Sequence, residues 1–72
     1  MKKYELLVND TINVEGKTLY RIKALRDFSD IKAGDLGGYI EKESNLSHEG
    51  NCWVCGNAMV YDNAKVLGNA QV

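Results

Sequence analysis

Asn57-Ala58-Met59-Val60-Tyr61-Asp62-Asn63-Ala64-Lys65-Val66-Leu67-Gly68-Asn69-Ala70-Gln71-Val72 carries the unit Asn-Ala-x-Val three times at a spacing of six residues. Residues two apart in an extended strand point to the same side, so the Ala and Val of each unit face one interior. The pairs Gly56-Asn57, Asp62-Asn63 and Gly68-Asn69 are residue types that tolerate positive φ or bond to their own backbone, and they mark corners between strands. Short strand, corner, short strand describes a parallel β-helix with about eighteen residues per triangular coil. An α-helix is excluded: six residues advance about 600° around its axis and leave successive valines about 120° apart.

Read backwards in the same register, Asn51-Cys52-Trp53-Val54 fits with Cys52 in the small inward position, and Asn45-Leu46-Ser47-His48 fits with His48 in the valine position. One hexad earlier the aliphatic position falls on Lys42, which ends the repeat. The expected organisation is one domain, residues 1–72, with a β cap and connection over 1–42 and a coil of about one and a half turns over 43–72. So short a coil cannot stand alone, and the N-terminal half must cover it.

In that half, Tyr4-Glu5-Leu6-Leu7-Val8 is β-favouring and ends at the turn signal Asn9-Asp10. Ile12 and Val14 then alternate with polar residues, Glu15-Gly16-Lys17 turns the chain, and Thr18 to Ala24 alternates again. The simplest arrangement is a three-stranded antiparallel meander with Tyr20, Ile22 and Ala24 inward and Arg21 and Lys23 in water. The competing reading is a helix over Leu19 to Phe28. The fold class is therefore all-β. The cluster Ala33-Gly34-Asp35-Leu36-Gly37-Gly38 lacks the lysine and hydroxyl of a phosphate loop and reads as a turn that feeds Tyr39 and Ile40 over the open end of the coil.

Leu25-Arg26-Asp27-Phe28, Ile31 to Glu41 with its Ala-Gly-Asp-Leu-Gly-Gly-Tyr-Ile core, Asn45-Leu46-Ser47 and the Gly-Asn-Ala-x-Val repeats together resemble the phage and prophage hexapeptide-repeat proteins of the left-handed parallel β-helix type. The resemblance covers nearly the whole chain. It implies a phage-encoded accessory protein in the bacterial cytoplasm and no defined reaction.

Candidate chemistry is sparse. Cys52-Trp53-Val54-Cys55 has the spacing of zinc and redox sites, but the register sets Cys52 inward and Cys55 on the flank, and no second ligand pair follows. No metal or cofactor is expected. The hexapeptide-repeat acyltransferases, which resemble this coil, use a histidine as general base in a cleft between trimer subunits. His48 lies in an irregular first hexad and reads as a structural capping residue, so no catalytic residue is assigned and the chain is expected not to be an enzyme.

Residues 1–26 hold six bases against three acids, for +3, and residues 27–72 hold three bases against seven acids, for −4, which agrees with the overall −1. A net negative chain is a poor ligand for phosphate backbones, so direct nucleic-acid binding is excluded. Asp27, Asp30, Asp35, Glu41, Glu43 and Glu49 are instead expected to meet a basic protein surface, with Trp53 and Tyr61 as outward aromatic contacts beside Tyr39. The leading expectation is an inhibitor of a bacterial defence nuclease, in the manner of small anti-CRISPR proteins. The alternatives are a short acyltransferase-like enzyme and a structural assembly module. No apolar run reaches membrane-spanning length and no signal-peptide core follows Lys2-Lys3, which gives a soluble, cytoplasmic expectation. The uncapped coil end, with Ala64, Val66, Leu67, Ala70 and Val72, is expected to pair end to end as a homodimer.

Overall fold

A computed structural model describes residues 2–72. It is all-β, as the alternation and the repeat imply. Strands β1 (Tyr4–Val14), β2 (Lys17–Ala24), β3 (Leu36–Ile40) and β4 (Met59–Val60) form one sheet in the order β1-β2-β3-β4, and the first three are antiparallel neighbours. Val14 pairs with Lys17 across a two-residue loop in which Glu15 and Gly16 both have positive φ, 51° and 82°. That is the primed turn whose twist matches the flanking strands.

The meander is partitioned differently from the expectation. Asn9-Asp10 does not turn the chain: β1 runs through, with a register shift between Leu7, opposite Arg21, and Thr11, opposite Tyr20. Val8, Asn9 and Asp10 are left without partners in β2 as a bulge, and the Asp10 carboxylate meets the Arg21 guanidinium at 3.2 Å. Residues 19–24 are strand, not helix, because β2 is paired on both edges. Its inward set is Ile22 and Ala24, whereas Tyr20 is half-buried and Leu19 is fully buried outside the main cluster. Arg21 does not stand in water. Its guanidinium lies 4.4 Å from the centre of the Tyr39 ring and donates to the Gly37 carbonyl at 2.7 Å.

The boundary between cap and coil does not fall at residue 42. Tyr39 and Ile40 pair in parallel with Met59 and Val60, so β3 is both the last strand of the meander and the first rung of the coil. Leu46 then pairs with Val66, and Trp53 with Gln71, again in parallel. The first two rungs are offset by twenty residues and the third by eighteen. Two extra residues are therefore accommodated between Leu46 and Trp53, in the loop around His48-Glu49-Gly50-Asn51. Stepping back through the chain in hexads misses this insertion. The valine position of the second strand belongs to Leu46 rather than His48, and the strand before it supplies Ile40 rather than Lys42.

The coil interior follows from that register. Ile40, Leu46 and Val54 are each 0% exposed, Val60 and Val66 are 6% and 5%, and Val72 is 48%. Gly38 stands one rung from Ala58, and no larger residue fits there: a Cβ would strike the Ala58 carbonyl oxygen and come within 2.6 Å of Val54 Cγ1. A Cβ on Gly37 would lie 2.8 Å from the Trp53 ring. These close approaches let the sheet lie directly on the coil. Tyr4, Ile22, Phe28 and Trp53 then fuse the two into one core with the coil valines. Among the described residues, no helix is long and apolar enough to cross a membrane.

Candidate functional site

The titratable side chains that converge most closely sit where β1 begins and the inserted loop of the first coil passes it. Lys3 is 0% exposed, and among the described residues no carboxylate pairs with it. Its ammonium donates to the Cys52 carbonyl at 2.7 Å, approaches the Gly50 carbonyl and the Cys52 sulfur at 3.4 Å each, and lies 4.8 Å from the centre of the Phe28 ring. Withdrawing an ammonium from water costs several kcal/mol unless fixed dipoles replace the lost hydration. Here the carbonyls of Gly50, in the inserted loop, and of Cys52, just beyond it, do so together with the negative face of Phe28. The segment from Gly50 to Cys52 thus receives the lysine.

His48 ties the same loop to the main chain of β1. Lys3 N–H donates to His48 Nδ1 at 3.1 Å, and His48 Nε2 lies 2.8 Å from Glu43 Oε1. An Nδ1 that accepts from an amide is unprotonated, so the bond pattern puts the ring proton on Nε2, donated to Glu43. Tyr4 stacks flat on the imidazole, with centroids 4.1 Å apart and an 11° interplanar angle, and its phenol donates to the Leu46 carbonyl with the Glu43 carbonyl 3.0 Å away. Burial pushes the Tyr4 hydroxyl well above its ordinary range, reinforced by Glu43 and then Cys52. The hydrogen bond from His48 holds the Glu43 carboxyl below its ordinary value against a smaller opposing effect of burial, and Lys2 at 3.3 Å lowers it further.

A carboxylate that orients a histidine is half of a general-base arrangement, but here the basic lone pair is directed at the Lys3 amide. His48 cannot take a proton from a substrate at Nδ1 without giving up its bond to the Lys3 N–H. In this geometry the cluster is a clasp between cap and coil.

The expected contact surface is redistributed. Trp53 is 1% exposed, not outward: its ring meets Phe28 at 5.2 Å and Tyr4 at 6.5 Å, both edge-on. Its coil counterpart Gln71 is exposed, and the difference is that the hairpin of Phe28 and the start of β1 cover the first coil at this face. Tyr39 is buried beneath Arg21, and Tyr61 is half-buried, so Trp53, Tyr61 and Tyr39 form no exposed strip. Of the six acids, Asp27, Asp35 and Glu41 accept backbone N–H groups of Ala33, Lys32 and Asp62 at 2.8–2.9 Å, and Glu43 is held by Lys2 and His48. All but the half-buried Glu41 are exposed, and Asp30 and Glu49 make no such bond among the described residues. The thiols face different surroundings: Cys52 is buried against the Lys3 ammonium and the Val66 carbonyl, while Cys55 is exposed beside Gln71. Of the residues at the coil end, Val66 is 5% exposed and already packed inside, whereas Ala64, Leu67, Ala70 and Val72 are exposed.

Sequence reasoning missed Lys3 and Tyr4 as partners of His48. The one available signal was that a lysine adjoins the first β-favouring residue, where a buried charge is not anticipated.

No family model matches the chain. Over 36 residues it is 50% identical to an uncharacterized acetyltransferase, YdcK, of Escherichia coli (strain K12). The match takes in 50% of this chain and 11% of the relative, so the aligned half of the chain covers only about a ninth of the length of the protein it matches. The expectation that the chain is not an enzyme is overturned by this similarity, since half of its residues align with a protein named for acyl transfer.

Proposed function

We propose that the chain serves in an acyltransferase-like protein of the hexapeptide-repeat kind, in which the coil is the rigid scaffold and the β1–β3 meander braces its first turn. The observation that carries this reading is the 50% identity over 36 residues to a protein named an acetyltransferase. The parallel rungs at Tyr39–Met59, Leu46–Val66 and Trp53–Gln71 support it, because a stacked coil holds side chains of successive turns at fixed spacing. In this reading His48 keeps its bonds to Lys3 and Glu43 and acts as a clasp, and the proton-accepting base is another group.

The inhibitor reading has weaker support. Trp53 lies in the core, and four of the six acids offered to a basic partner are engaged within the chain. The phage origin implied by the resemblance is compatible with either reading and decides neither.

The test is acetyl transfer from acetyl-coenzyme A to a panel of amine and hydroxyl acceptors, followed by release of free thiol. Cys55 is exposed and would react with thiol reagents, so the assay uses a Cys55→Ser background. Saturable, acceptor-dependent release, with His48→Gln keeping most of it, is expected. If acetyl-coenzyme A neither binds in calorimetry nor yields thiol with any acceptor, the reading is wrong.

A further inference from the structure

Phe28 and Ile31 exchange backbone hydrogen bonds at 2.9 and 2.8 Å, which places Ser29, at φ 50°, and Asp30 at the tip of a tight hairpin. The tip stands over a corner of the coil where Asn51 and Asn69 recur on successive turns, with Asn51 N–H donating to the neighbouring Gly68 carbonyl at 3.1 Å. Between hairpin and corner lies an open groove of about 380 Å³ lined by Ser29, Asp30, Ile31, Asn51, Asn69 and Gln71. It is separate from the Lys3–His48 clasp.

The lining holds one carboxylate, three carboxamides, one hydroxyl and one aliphatic wall, with no lysine or arginine. Gln71 is partly engaged, its Nε2 donating to the Asn51 carbonyl at 3.1 Å and its Oε1 accepting the Cys55 thiol at 3.5 Å. No protein group among the described residues holds the side chains of Asn51, Asn69, Ser29 or Asp30. Carboxamides donate and accept at once, which is what a hydroxyl requires of a partner. A lone carboxylate selects a cation and repels an anion. We propose that this groove binds a small polyhydroxylated amine, with the ammonium on Asp30, the hydroxyls on Asn51, Asn69 and Gln71, and a C–H face against Ile31. This goes beyond the acyl-transfer reading and does not depend on it.

Three probes separate the contributions in an NMR titration of the isotope-labelled chain, with the side-chain amides of Asn51, Asn69 and Gln71 as reporters. Glucosamine should shift all three saturably. Glucose, which replaces the ammonium by a hydroxyl, should bind more weakly by up to about fivefold, the range of an exposed ion pair. Inorganic phosphate should shift none. Asp30→Asn should reduce glucosamine to the level of glucose, and Asn69→Ala should weaken both sugars together. Asp30 and Asn69 are exposed at a turn tip and a corner, so either variant keeps the core intact. The proposal is overturned if glucosamine moves none of the three amides, if Asp30→Asn leaves its affinity unchanged, or if phosphate competes for the groove.

Discussion

Replacing Trp53 with alanine separates a contact residue from a core residue by a wide margin. A fully buried tryptophan removes about 150–250 Å² from water, which at about 25 cal/mol per Å² corresponds to roughly 4–6 kcal/mol, and measured Trp→Ala changes in cores run at about 3–5 kcal/mol. At 1% exposure, wedged between Phe28 and Tyr4, Trp53 belongs at that level. A 72-residue chain has a total stability on the order of 4–11 kcal/mol, so Trp53→Ala removes between a third and all of it. Trp53→Phe keeps an aromatic ring against Phe28 and should cost about 1–2 kcal/mol, equivalent to a Tm lowered by roughly 4–16 °C in a domain of this size. The assay is urea and thermal unfolding followed by far-ultraviolet circular dichroism, because the substitution removes the only tryptophan. In the parent chain the same tryptophan should emit as a buried indole and resist acrylamide quenching. A Trp53→Ala variant within about 0.5 kcal/mol of the parent would place Trp53 on the surface and refute the packing of cap on coil.

Gly38→Ala should cost about 1–3 kcal/mol in the same unfolding assays, because the new methyl lands on the Ala58 carbonyl, which is main chain and cannot rotate away; an unchanged midpoint would show that the two coils are further apart than described. Glu43→Gln should lower stability by about 0.2–1 kcal/mol at neutral pH, a small effect because the carboxylate is 47% exposed. Since His48 and Lys2 depress the Glu43 pKa, this contribution is fully present above the ordinary carboxyl value of 4.5 and is lost as pH falls through the lower folded value. Unfolding midpoints of parent and variant should therefore converge in acid, and a constant difference down to acid pH would contradict the pairing.

The architecture was legible wherever a residue's role is local. Asn-Ala-x-Val repeats because each rung needs a small inward residue, an aliphatic one and a corner, and these are properties of a few adjacent positions. Register over a longer span is not local. The two residues inserted near Glu49-Gly50 leave no mark on the hexads either side, so counting back in sixes displaced the first coil and hid Ile40 and Leu46. Asn9-Asp10 misled for a related reason. Its residue types are common in turns, but a bulge accepts them too, and only the pairing of Leu7 with Arg21 and Thr11 with Tyr20 distinguishes the two.

The same distinction governs the site. Periodicity placed Trp53 outward by analogy with Met59, Lys65 and Gln71, and its strand does present that face. What covers the face is contributed by residues 4 and 28, far away in sequence, and nothing in the hexad reports them. Lys3 was hidden more deeply, because a lysine enters a core only where several acceptors converge. Here those acceptors are main-chain carbonyls of Gly50 and Cys52, which have no signature in residue type. The insertion that defeated the register ends beside those carbonyls, with Gly50 inside it and Cys52 just past it. An irregularity of two residues therefore accounts for the misplaced coil, and the segment from His48 to Cys52 joins the meander to the coil through its bonds to Lys3 as β3 joins them through its backbone.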